Sequence, residues 1–341
     1  MNSVLIVKLS AIGDVVHALP AAYAIKETYP AAHITWVVEP PAYDIVRMCS
    51  SVDEVIVFPK KQLRTWAGFR RGFPAFRRIL QARRYDAALD LQGLFKSAAI
   101  AFFVRARRKI GTGFMREGAW LVSRPVRGAH IGGHIVDQNL DVARALGCAV
   151  REIRFPLQIP ADAVRSAAEK RTAVCGGDRP YAVLIVGASR ANKIWRAAHF
   201  ARLAGLLRTA GITPLLVGGG AADERRAAEI AALSEEAPPS LVGRTTFPEL
   251  AALLRGACVV VGGDTGPTHL SNAVGAPTLM LMGSWPPARN GLYRQRENVI
   301  EIDRPCRHCM KRVCPLGLDC LDVITPEQVM ARAMPLISGD A

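Results

Sequence analysis

Residues 4–20 read VLIVKLSAIGDVVHALP. An apolar run, a short bend holding Gly13 and Asp14, and a stretch of Val, Ala and Leu describe a strand, a tight turn and a helix start. Many nucleotide-binding α/β folds open this way. The G-x-G-x-x-G triplet that cradles a pyrophosphate is missing here, which removes the main support for a dinucleotide-dependent oxidoreductase. Asp14 has two readings: an N-cap of its own helix, or a carboxylate at the carboxyl end of a parallel strand, where α/β sheets bind their ligands.

The rest of the chain repeats this grammar. Strand-like runs occur at 4–8, 34–38, 55–58 and 86–91, and again at 181–189, 213–220, 257–264 and 277–283. Continuous apolar strands alternating with amphipathic helices indicate parallel sheets covered on both faces. Two such series predict two doubly wound, Rossmann-like domains facing across a cleft. The expected layout is an N-terminal domain over 1–155, a linker region over 156–180, a C-terminal domain over 181–324, and a final helix within 325–341. Thr325 and Pro326 suit the start of that helix.

Lys and Arg number 44 against 29 Asp and Glu, a net charge of +15. The excess is clustered. Residues 60–84 hold nine basic side chains and no acid, and 105–127 add seven against Glu117 alone. Such a face attracts an anionic partner: nucleic acid, anionic lipid, or a phosphate- or carboxylate-bearing substrate. No apolar run reaches the roughly 18–20 residues of a membrane span. The N-terminus enters a strand directly, so no signal peptide and a cytoplasmic location are expected.

The stretch VVVGGDTGPTHLSNAVGAP, 259–277, carries the most chemistry. A buried strand ends at Gly262-Gly263, and Asp264, Thr265 and Gly266 precede a helix that Pro267 can open. Free N–H groups at such a start form a phosphate cradle, and His269 lies one turn in. IVGASRANKIW, 185–195, also follows a strand, bringing Ser189, Arg190 and Lys193 to the same sheet edge, where cations can neutralise a diphosphate leaving group. GGGAADE, 218–224, puts Asp223 or Glu224 where a ribose hydroxyl could be held.

These motifs, with YDAALDLQGLFKSA (85–98), resemble glycosyltransferase family 9, the ADP-heptose:lipopolysaccharide heptosyltransferases. VVHALP and QGLFKS are most similar to its heptosyltransferase I members. The resemblance implies the two-domain GT-B architecture and an inverting enzyme that needs no metal or other cofactor for catalysis. It implies ADP-heptose as donor and Asp14 as catalytic base. Lys193, Thr265 and Gly266 would hold the ADP diphosphate with Ser189 and Arg190 beside them, and Asp264 and His269 would line the donor pocket. The acceptor would be Kdo-lipid A or a related lipopolysaccharide core, met by a monomeric, peripheral protein on the inner face of the cytoplasmic membrane, with no nucleic acid involved. Lys60, Lys61, Arg64, Arg70 and Arg71 could then meet Kdo carboxylates and lipid phosphates, with Gln92 and Lys96 as further acceptor-side candidates. Trp66, Phe69, Phe73 and Phe76 could enter the headgroup layer or dock the helix on its own domain.

Cys306, Cys309, Cys314 and Cys320 fall within fifteen residues and could hold a structural metal, pair as disulfides, or stay free. Three alternatives remain open at this stage: a different core acceptor such as the second or third heptose, another nucleotide sugar, and a basic nucleic-acid-binding module.

Overall fold

The structure, a computed structural model, describes residues 1–339. The chain divides into two compact units, Met1–Gln158 and Ile159–Ala341.

Among the described residues, the first unit contains a six-stranded sheet: β1 (Ser3–Val7), β2 (His33–Val38), β3 (Glu54–Val57), β4 (Arg84–Asp90), β5 (Arg105–Thr112) and β6 (Arg124–Val126). All its pairings are parallel and the order is β3-β2-β1-β4-β5-β6. β1 and β2 are apolar almost throughout because helices cover both faces. The chain reverses direction across the sheet between β1 and β4, and such a switch point leaves a crevice beyond the strand ends.

The second unit contains β7 (Tyr181–Ile185), β8 (Thr213–Val217), β9 (Val259–Gly263), β10 (Thr278–Met282) and β11 (Val299–Glu301). They pair in parallel in the order β11-β10-β9-β7-β8, with the switch point between β7 and β9. Its core gathers Leu184, Phe200, Val261 and Leu281 around Trp195. Trp195 is 1% exposed and its Nε1–H donates to the Ile324 carbonyl at 2.9 Å, tying the C-terminal segment to the sheet.

The stretch 156–180 is not an open linker: most of it is the helix Ala161–Cys175, which packs on the helix Phe247–Arg255 and belongs to the second unit. The basic stretch 105–127 contains β5 and β6. β6 pairs only with Ile110–Thr112, so the arginines in the first half of β5 face solvent along an open edge. The final helix runs Pro326–Ser338, N-capped by Thr325; positions 340 and 341 of the expected 325–341 segment lie outside the described residues.

Glu249 fastens the two helices just named. Its carboxylate accepts from Lys170 Nζ at 2.7 Å, Ser166 Oγ at 2.6 Å and the Thr246 N–H at 2.8 Å. Burial alone would raise its pKa, but these donors win and bring it down to about 2. A carboxyl whose folded pKa is depressed adds stability above its unfolded pKa and loses it as pH falls through the folded value. Glu249→Gln should therefore lower the unfolding free energy by about 1–3 kcal/mol at pH 7. In urea titrations the gap from the parent should close between pH 4.5 and about 2.

Candidate active site

The second unit's switch point is organised by Asp264, 7% exposed at the end of β9. Its Oδ2 accepts from Lys193 Nζ and from Asn290 Nδ2 at 2.9 Å, and its Oδ1 is 3.1 Å from His269 Nε2. Burial pushes the carboxyl upward, but His269 and Lys193 overcome it and hold the pKa at about 2. Asp264 thus joins the loops after β7, β9 and β10. Gly263 makes this approach possible, since a Cβ there would collide with the Lys193 carbonyl.

Thr265 N-caps the helix Gly266–Ala273 in extended backbone, and its hydroxyl lies 3.4 Å from Thr268 Oγ1. The first N–H groups of that helix have no intrahelical acceptor and are free for an anion. Ser189 is exposed beside Lys193, and the Arg190 guanidinium lies 5.9 Å from the Trp285 ring centre. The structure therefore brings Ser189, Arg190, Lys193, Asp264, Thr265, Gly266 and His269 to one switch point.

Asp223 and Glu224 separate. Asp223 accepts the Gly219 N–H at 2.8 Å, sits 3.6 Å from Arg226, and fills the space over Gly187 where any side chain would clash. It holds the β7 and β8 loops together. Glu224 is exposed and its carboxylate has no hydrogen-bond partner among the described residues, so of the two it alone is open to a ligand.

In the first unit, Asp14 lies in the helix Ile12–Val16, and its Oδ2 accepts the Ala11 N–H at 3.2 Å. The N-cap of this helix is Ala11, and Asp14 stands two residues inside it, at the third helical position, reaching back to the Ala11 N–H through one oxygen. Oδ1 has no partner among the described residues. The bend itself is held from β4: Gln92 Oε1 accepts from the N–H groups of Leu9 and Ser10 at 3.1 and 3.2 Å. Asp90, fully buried, fixes Gln92 by accepting the N–H groups of Gln92 and Gly93. Gly93 is required in this turn because its φ is +67°.

Three of the acceptor-side candidates already carry contacts within the unit. Gln92 is committed to the backbone of the Asp14 bend, and Lys60 and Lys96 are committed to Glu39. That residue, 4% exposed, meets Lys96 at 2.6 Å and Lys60 at 3.0 Å. Burial raises the Glu39 pKa, but the two ammonium groups bring it below the ordinary glutamate value. Lys61, Arg64, Arg70 and Arg71 stay exposed. They lie on and before the helix Trp66–Gln81, along which Trp66, Phe69 and Phe73 stack at 6.1 and 4.6 Å between ring centres. Phe76 is buried, so it docks the helix on its own unit rather than facing outward.

The four clustered cysteines are free thiols. Burial pushes the Cys320 thiol pKa up, and the neighbouring Cys309, Cys306 and Cys314 add to it. Among the described residues, no three His, Cys, Asp or Glu side chains are grouped to hold a metal ion. Their segment instead borders the second unit's site. The N–H groups of His308 and Met310 donate to the carbonyls of Gly283 and Ser284, and Asn192 Nδ2 donates to the Lys311 carbonyl. Asn192, Trp285 and Asn290 escape a reading by sequence, since no motif links them to residues as far away as Asp264.

The profile of glycosyltransferase family 9 (heptosyltransferase) matches residues 74–318. The chain belongs to this family. Its relatives include lipopolysaccharide heptosyltransferase 1 of Pseudomonas aeruginosa, 31% identical over 91% of this chain and 87% of that one. The lipopolysaccharide core heptosyltransferase OpsX of Haemophilus influenzae is 28% identical over 88% and 84%. The structure of E. coli heptosyltransferase WaaC with ADP superposes with a TM-score of 0.78, at 28% identity over 98% of this chain and 99% of that one. The two sheets are those of the GT-B fold.

If Asp264 is the electrostatic centre of this family 9 site, Asp264→Asn strands the Lys193 ammonium and should cost about 3 kcal/mol. Lys193→Met combined with Asp264→Asn should recover at least about 1 kcal/mol of that loss in a double-mutant cycle read by thermal unfolding.

Proposed function

We propose that this chain transfers L-glycero-D-manno-heptose from ADP-heptose, with inversion and without a metal, to the Kdo region of the lipopolysaccharide inner core. The observation that carries the reading is the pair of switch points. One holds a carboxylate with a free oxygen, Asp14; the other holds an ammonium, Lys193, against a helix N-terminus.

In this mechanism Asp14 takes the proton of an acceptor hydroxyl while that oxygen attacks the anomeric carbon. The bond from the anomeric carbon to the diphosphate oxygen breaks on the opposite face, and ADP leaves carrying the bonding electrons. Lys193, the Thr265 hydroxyl and the N–H of Gly266 stabilise the charge that develops on the diphosphate, with Ser189 and Arg190 beside them. Glu224 takes the ribose hydroxyls, as the open carboxylate of the pair after β8. Asp264 acts by positioning Lys193 and His269.

The exposed cations Lys61, Arg64, Arg70 and Arg71 meet the acidic acceptor and the anionic inner face of the cytoplasmic membrane, where the protein docks peripherally. The first turn of the helix Trp66–Gln81 supports this: Trp66 is 75% exposed beside these charges. Among the described residues no helix is long and apolar enough to cross a membrane. Kdo is preferred over a core heptose as acceptor because its carboxylate answers this cationic surface.

Asp14→Asn should reduce kcat about 10²- to 10⁴-fold with little change in ADP affinity. A comparable loss of ADP binding would contradict the assignment of Asp14 as base. Arg70→Gln with Arg71→Gln should weaken binding to phosphatidylglycerol vesicles about tenfold or more, at about 1 kcal/mol per charge. The same pair should leave turnover of a soluble, truncated Kdo acceptor unchanged.

A further inference from the structure

The loop after β10 carries two side chains that the reading above leaves idle. Asn290 ends the short helix Pro287–Asn290, and its amide donates to Asp264 Oδ2. That bond fixes the amide's orientation, because an ionised carboxylate only accepts. The Asn290 Oδ1 is left buried without a hydrogen-bond partner. Trp285 lies near two guanidiniums, Arg289 at 5.2 Å and Arg190 at 5.9 Å from its ring centre, and its Nε1–H is likewise buried and unpartnered. Asn192 adds a third group. Its Nδ2 donates to Ser284 Oγ at 3.1 Å and to the Lys311 carbonyl, while its Oδ1, in a residue 7% exposed, has no partner.

These residues form one circuit of contacts: Asn192 to Ser284, Trp285 next in sequence, Arg289 on Trp285, then Asn290, Asp264 and Lys193. A buried polar atom without a partner costs about 1–3 kcal/mol. Three on one circuit, two acceptors and one donor, specify the ligand that would relieve them. A phosphate oxygen only accepts and can answer Trp285 alone. Hydroxyls, each with one O–H to donate and lone pairs to accept, can between them answer all three.

The sheet order says which hydroxyls. Across β8-β7-β9-β10, Glu224 follows β8, the cationic loop follows β7, the helix start follows β9, and Trp285 and Asn290 follow β10. A nucleoside diphosphate sugar has the same linear order: ribose, diphosphate, sugar. With strands about 4.8 Å apart, β8 and β10 are about 14 Å apart, so a ribose held after β8 leaves the loop after β10 to the opposite end of the molecule.

We propose that Trp285 and Asn290 read the hydroxyls of the sugar being transferred, and that the sugar subsite lies at the β10 loop. This rests on the reading of the second unit as the donor site.

The test compares Kd for ADP with Kd for ADP-heptose, ADP-glucose and ADP-mannose, by calorimetry on the full chain. Trp285→Phe keeps a ring beside the guanidiniums and removes only the N–H; Asn290→Leu removes the acceptor and with it the donor to Asp264, so its effect is read only as the ratio of the two affinities. ADP affinity reports on folding and on the position of Lys193. The ratio Kd(ADP)/Kd(ADP-sugar) should exceed one in the wild type for at least one sugar. It should fall about tenfold, or to one, in each variant, with ADP binding changed less than about twofold in Trp285→Phe. Equal losses for ADP and ADP-sugar in Trp285→Phe would assign the indole to the nucleotide and overturn the proposal, as would an unchanged ratio in both variants or a wild-type ratio of one for all three sugars. A larger ratio for glucose or mannose than for heptose overturns the heptose reading alone and leaves the subsite intact.

Discussion

A carboxylate taken out of water must be paired, and in this chain that requirement shapes the second unit's site. Asp264 is buried at the end of β9 and takes donors from three loops: Lys193 after β7, His269 in the helix after β9, and Asn290 after β10. Lys193 and Asn290 stand on single-turn segments, Ala191–Lys193 and Pro287–Asn290, that are too short to hold their own geometry. Both are fixed because releasing either would leave a buried charge short of a partner. The arrangement keeps an ammonium and a helix N-terminus in place before any anion arrives, which is the condition for electrostatic stabilisation without reorganisation.

The first unit solves a different problem with neutral groups. Asp14 stands on a five-residue helix, and its bend is held by Gln92 through two backbone N–H groups. An amide serves better than a cation here, because a cation on the bend would compete for the carboxylate. Where this unit does place cations beside a carboxylate, at Lys60, Lys96 and Glu39, the carboxylate is tied up and its pKa drops. That contrast separates a structural acid from one left with a free oxygen.

Local signals were legible in the sequence, and long-range pairings were not. The apolar strands of both sheets and the GGDTG turn were readable because periodicity and turn chemistry are properties of neighbouring residues. β5 was missed since its open edge tolerates arginines that blur the strand pattern. Residues 156–180 looked like a linker because the helix Ala161–Cys175 has only Ala163 and Ala167 fully buried, too thin an apolar stripe to stand out. The commitment of Lys60 and Lys96 to Glu39 joins residues 21 and 57 positions apart. The contact between Asn290 and Asp264 spans 26. Both pairings are set by strand order, which composition and spacing do not encode.

The basic helix shows how one segment divides its work. Phe76 and Leu80, in its C-terminal half, are buried and dock it on the sheet. Phe73 bridges inward to Phe103 at 4.8 Å, and Arg77 covers the same ring at 5.6 Å. At the N-terminal end the aromatic series comes free, at Trp66 and Phe69, beside Arg64, Arg70 and Arg71. The aromatic residues are therefore not one surface. Those from Phe73 onward are needed for folding, so replacing them would confound any binding measurement. Under the proposed function a lipid surface meets the first turn, and the cations there are the groups whose removal separates docking from stability.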